Sequence, residues 1–82
     1  MIEKLRNQIN NLDDLIIDLL VARFKIAEAI GKIKKRDGFA IEAMGREAEI
    51  IERLSQKLDP ELVKTIYNII FAYSRTIQKK NY

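Results

Sequence analysis

Residues 2–35, IEKLRNQINNLDDLIIDLLVARFKIAEAIGKIKK, decide the fold. Apolar residues recur at Ile2, Leu5, Ile9, Leu12, Ile16, Leu19, Ile26, Ile30 and Ile33, the three-and-four spacing of one helical face. The pattern predicts a single helix from about Ile2 to Lys35, with Gly31 tolerated inside it at a modest propensity cost. About 34 residues at 1.5 Å each make a rod of roughly 50 Å. A compact domain of this size has a radius of gyration near 12 Å. The rest of the chain is too short to cover such a rod, so its apolar stripe requires a second copy, and the expectation is an obligate, intertwined homodimer.

Two cations interrupt the stripe. Arg23 lies seven residues after Ile16 and seven before Ile30, and Lys34 follows Ile30 by four, so both project from the apolar side. Burying an Arg or Lys costs several kcal/mol unless something anionic pairs with it. The stripe offers no obvious carboxylate, which points to an anion from outside the chain.

Composition narrows the chemistry. The chain has 82 residues, 48% of them hydrophobic, consistent with one domain (1–82) near the lower limit for a self-sufficient core. There is no Cys and no His. Disulfides, thiol nucleophiles, Cys/His metal sites and a His general base are therefore excluded, and no metal or cofactor is expected. Apolar runs such as Leu19-Leu20-Val21-Ala22 are far too short for a membrane span. The start, Met1-Ile2-Glu3-Lys4-Leu5-Arg6, lacks the apolar core of a signal peptide, so a cytoplasmic location is the default. The formal charge is +3. Lys32, Lys35 and Arg36 suit the negative end of a helix dipole better than a nucleic-acid surface.

The remaining organisation is two shorter helices and no strands. Asp37-Gly38 is a turn, and residues 39–45 form a loop of small and apolar residues. A second helix spans roughly Arg46 to Lys57 with Ile50, Ile51 and Leu54 inward. Asp59-Pro60-Glu61 starts a third, which runs to about Lys80 with Val63, Ile66, Tyr67, Ile70 and Ile77 inward. Ser74 and Gln78 share that inner face at i and i+4. Each has a bland explanation, a Ser bonded to the preceding turn and a Gln satisfied by buried backbone. Arg46-Glu47 opens the second helix, where a first-turn Glu ordinarily serves the cap or the dipole.

Taken together, Leu5-Arg6, Ile9, Leu12-Asp13, Arg23, Gly31-Lys32-Ile33-Lys34, Arg46-Glu47, Ser74 and Gln78 resemble the all-helical chorismate mutases, from Leu5 to Gln78. The resemblance implies conversion of chorismate to prephenate by a Claisen rearrangement, on the route to phenylalanine and tyrosine. The substrate is a dianion with two carboxylates, an ether oxygen and a ring hydroxyl. No proton moves and no covalent intermediate forms, so neither His nor Cys is needed. By the resemblance, Arg6 and Arg23 each hold a carboxylate, and Ser74 helps to anchor one. Lys34 and Gln78 donate to the ether oxygen as the catalytic pair. Glu47 accepts from the ring hydroxyl, Arg46 completes the electropositive pocket, and Ile30 forms part of its apolar wall.

The chain departs from the family in one segment. The family commonly carries a Pro in the loop before Arg-Glu and an Asp three residues before the Arg; this chain has Ala40, Ala43 and Gly45 there. Ala43 can neither cap the second helix nor bond the hydroxyl through a side chain, which predicts weaker hydroxyl recognition and a looser loop. Three rivals differ in what they require. An isochorismate pyruvate lyase shares the fold and arginine clamp, but Glu47 suits the ring hydroxyl of chorismate. A non-enzymatic dimerisation or regulatory module has no use for inward Arg23, Lys34 and Gln78. A basic nucleic-acid binder needs an outward recognition face with interleaved aromatics.

Overall fold

The computed structural model describes residues 1–41 and 43–80; Glu42, part of the expected loop, lies outside the described residues, as do Asn81 and Tyr82. Three helices follow one another: α1 (Ile2–Asp37), α2 (Met44–Leu54) and α3 (Pro60–Lys79). No strand occurs among the described residues. The helix expected over 2–35 runs two residues further and ends where the Asp37-Gly38 turn was expected. Gly38 adopts φ 75°, the left-handed conformation that favours glycine, and its N–H closes on the Lys34 carbonyl. The Phe39 N–H reaches the same carbonyl at 2.8 Å. Lys34, Lys35 and Arg36 occupy the last turn, at the negative end of the dipole.

The second helix is displaced from its expected position. It begins at Met44 rather than Arg46, taking in Gly45, and stops at Leu54 rather than Lys57. Its N-cap is Ala43, which offers no side-chain hydrogen bond. At the other end the Ser55 hydroxyl bonds back to the Ile51 carbonyl at 2.6 Å, and residues 55–57 tighten into turns. The third helix starts as expected, with Pro60 in the first turn and the Asp59 carboxylate accepting from the Leu62 N–H at 3.0 Å.

The core is small. Ala27, Ile50, Val63, Ile70 and Phe71 are its buried apolar residues, and α3 packs against both α1 and α2. Phe24 meets Tyr73 with ring centroids 4.7 Å apart, tying α1 to α3, and Tyr67 meets Phe71 edge-on. Two assignments change. Phe71, not expected inward, is buried, whereas Ile66 is exposed. The N-terminal half of α1 has no cover: Ile2, Leu5, Ile9, Leu12 and Ile16 are each 54–63% exposed. The chain accordingly measures 55 × 23 × 14 Å, a rod with a small domain at one end.

Gly31 is more than tolerated. A Cβ there would lie 2.8 Å from the Cα of Gln78, so the backbones of α1 and α3 meet at a point that admits no side chain. Replacing Gly by Ala within a helix ordinarily gains about 1 kcal/mol. Here the obstacle is backbone and cannot swing aside, and overpacking of this kind costs about 1–3 kcal/mol. Gly31→Ala should therefore lower the thermal midpoint by several degrees. A variant melting at or above the wild-type temperature would show that the crossing does not depend on the missing side chain.

Candidate active site

The crossing of α1 and α3, with the first turns of α2 alongside, encloses a cavity of about 440 Å³. Arg23, Ile30, Lys34, Arg46, Glu47, Ser74 and Gln78 all line it. Seven of the eight residues singled out from the sequence are thus brought together, although they come from three helices. Arg6 is the eighth. It lies on the exposed half of α1, 3.7 Å from Glu3 and 17 residues before Arg23, which is about 25 Å along the helix axis. Within one chain it does not reach the cavity.

Two of the cavity's cations, Arg23 and Lys34, are held without neutralisation. Arg23 donates to the Ser74 hydroxyl at 3.2 Å, and its guanidinium carbon stands 5.8 Å from the Tyr67 ring centre and 5.7 Å from that of Phe71. Aromatic faces attract a cation by about 0.5–2 kcal/mol without cancelling its charge. Lys34 donates to the Ile41 carbonyl at 2.9 Å. It is thus not the unpartnered cation that the sequence suggested, but its partner is a neutral dipole. Among the described residues, no carboxylate lies within ion-pair distance of either.

Ser74 and Gln78 depart from their bland explanations. The Ser74 hydroxyl faces Arg23 on α1 rather than its own preceding turn. Gln78 is 7% exposed, and its Oε1 is buried with no hydrogen-bond partner among the described residues. An unpaired buried amide oxygen costs about 1–3 kcal/mol; as an acceptor it cannot itself donate to a ligand oxygen, which only the amide Nε2 can do. Gly31 sets this position, because the close crossing brings the Gln78 backbone onto α1 one turn before Lys34.

On the α2 side, Arg46 lines the cavity but is mostly exposed and lies 3.8 Å from Glu49. Glu47 turns inward and accepts from Arg75 Nη1. Arg75 was not singled out from the sequence. A signal existed: it precedes Gln78 by three residues, which makes the two neighbours on α3. A second groove of about 250 Å³, lined by Ile16, Leu19, Leu20, Ile66, Tyr67 and Ile70, abuts the first cavity at their shared residue Arg23.

Residues 5–79 match the family model described as chorismate mutase type II. The chain is 34% identical over 70 residues to a bifunctional chorismate mutase/prephenate dehydratase of Aquifex aeolicus (strain VF5), covering 85% of this chain and 18% of that protein. It is 28% identical over 78 residues to the T-protein of Enterobacter agglomerans, covering 95% of this chain and 20% of that protein. The chain therefore spans about a fifth of the length of these curated relatives. No solved structure matches it significantly.

Proposed function

The chain belongs to the chorismate mutase type II family, and from that premise we propose that its cavity binds chorismate and rearranges it to prephenate. The observation that carries the proposal is the composition of the cavity wall. Four cations (Arg23, Lys34, Arg46 and Arg75) and one carboxylate, Glu47, surround a space backed by Ile26, Ala27, Ile30 and Ile50. Such a wall suits a small ring that carries two carboxylates, and a volume of this order suits a small-molecule site.

The chemistry asks for positioning and charge stabilisation. The ether C–O bond breaks as a new C–C bond forms, within one molecule folded into a chair-like conformer. Arg23, with Ser74 at its side, receives a carboxylate through a guanidinium fork. Lys34 and Gln78 face the ether oxygen, where negative charge builds as the bond lengthens; donors preorganised for that charge are the main source of acceleration. Glu47 accepts from the ring hydroxyl. Incubation of the purified chain with chorismate and, separately, with isochorismate tests the reading. Prephenate from chorismate supports the mutase, pyruvate from isochorismate with chorismate untouched indicates the lyase, and no product from either substrate rejects both.

The second carboxylate falls to Arg6 of another copy. Support comes from the bare half of α1: Ile2, Leu5, Ile9, Leu12 and Ile16 are still more than half exposed, and covering them with a partner helix adds hydrophobic stabilisation against the cost of association. The apolar groove beside Arg23 offers the partner helix a seat next to the cavity. The dimer is closed and two-fold, with two equivalent shared sites.

Gln78 provides a test through pH. A neutral amide donates at any pH in the neutral range, so the wild-type chemical step should be nearly flat there. In Gln78→Glu an ionised carboxylate repels the ether oxygen, so the variant should be poor at neutral pH. It should recover as pH falls towards the ordinary carboxyl range of about 4, where the protonated form becomes a donor. No recovery in acid would reduce Gln78 to a packing residue.

A further inference from the structure

Glu47 is an anomaly in the cavity. A carboxylate lining a site for a dianion repels what the site must attract, and the cost of that repulsion grows as water is excluded. Arg75 removes the conflict. Its Nη1 donates to Glu47 Oε2, and the two side chains are 30% and 24% exposed, so the pair is partly withdrawn from solvent screening. The pair also fixes geometry. With Oε2 engaged by Arg75, no other hydrogen bond to the Glu47 carboxylate occurs among the described residues, and Oε1 remains available to accept.

The need for such a clamp follows from the local sequence. The first turn of α2 has no side-chain cap, because its N-cap is Ala43. Arg46, the neighbour of Glu47, is mostly exposed and lies 3.8 Å from Glu49, so it does not hold the Glu47 carboxylate. The Glu47–Arg75 pair joins this uncapped turn to α3, which also carries Ser74 and Gln78. We propose that Arg75 is a positioning residue: it neutralises Glu47 and aims its free oxygen at the substrate hydroxyl. The role rests on the mutase reading above.

The test is a double-mutant cycle on chorismate turnover with Arg75→Ala, Arg75→Lys, Glu47→Gln and Arg75→Ala/Glu47→Gln. Arg75→Ala should raise KM about ten-fold or more, the size expected for a lost charged hydrogen bond, with a smaller fall in kcat. Arg75→Lys should restore most of that loss, since it keeps the charge at reach of Oε2. In the Glu47→Gln background, removing Arg75 should cost less than about two-fold, because the carboxylate it serves is gone. A residue that merely supports α3 would give equal losses in both backgrounds and no rescue by Lys. Either result, with the wild type still forming prephenate, overturns the role and leaves the mutase reading intact. A wild type that leaves chorismate unchanged overturns both. Should Arg75→Ala lose its helical circular dichroism, Arg75→Gln, which keeps the stem and a neutral donor, replaces it in the same cycle.

Discussion

Lys34→Ala should lower kcat by about a hundred- to a thousand-fold while leaving the helices folded. Lys34 sits in the cavity wall with its ammonium 2.9 Å from the Ile41 carbonyl, so its charge is partly solvated by a dipole and by no carboxylate among the described residues. An ether oxygen carrying developing negative charge outcompetes a neutral carbonyl for that ammonium, and the gain appears chiefly in the transition state. Loss of one such donor costs about 3–4 kcal/mol. KM should change less than kcat, since interactions absent from the ground state do not enter substrate binding. Folding should survive because the lost contact tethers a loop and not the core; Ile41 is half-buried, and its carbonyl can turn to water. Circular dichroism with steady-state kinetics separates the outcomes. An unchanged kcat, or loss of helix, would remove Lys34 from the catalytic pair.

Arg6→Ala and Arg23→Ala should each be nearly inactive, for the same reason acting at two ends of the substrate. Truncating one partner of a desolvated charge pair costs about 2–5 kcal/mol, roughly thirty-fold to several thousand-fold. For Arg23 the expectation follows from its place between Ser74 and two aromatic rings in the cavity wall. For Arg6 it is at odds with the chain viewed alone, where the side chain is exposed and lies near Glu3. An exposed ion pair of that kind contributes at most about 1 kcal/mol to stability. Arg6→Ala as active as wild type would make Arg6 a surface residue and leave the second carboxylate without its expected partner.

How much of this was legible depended on whether the information was local. The long first helix followed from apolar spacing alone, and its end from Asp37-Gly38, where a left-handed glycine was needed. Asp59-Pro60 marked α3 for an equally local reason, a side-chain cap and a proline in the first turn. The start of α2 was missed because nothing local marks it: Ala43 is a silent cap, and Met44-Gly45 carry no periodic signal. Glu47 and Arg75 are 28 residues apart and meet only because α2 folds back on α3, which no spacing rule encodes. Gly31 was read by propensity when its role is steric; the neighbour that excludes a side chain, Gln78, is 47 positions away. Ser74 and Gln78 were found because they broke an apolar face, yet their spacing alone did not say what they face.

The most direct test of a site built from two chains is to mix the two inactive variants. Arg6→Ala and Arg23→Ala are unfolded together in equal amounts and refolded, and prephenate formation is measured. Half of the dimers should then be mixed, and each mixed dimer holds one site with both arginines and one with neither. About a quarter of the wild-type activity should return. No recovery, from variants that refold to dimers, would contradict a cavity completed by Arg6 of the second copy.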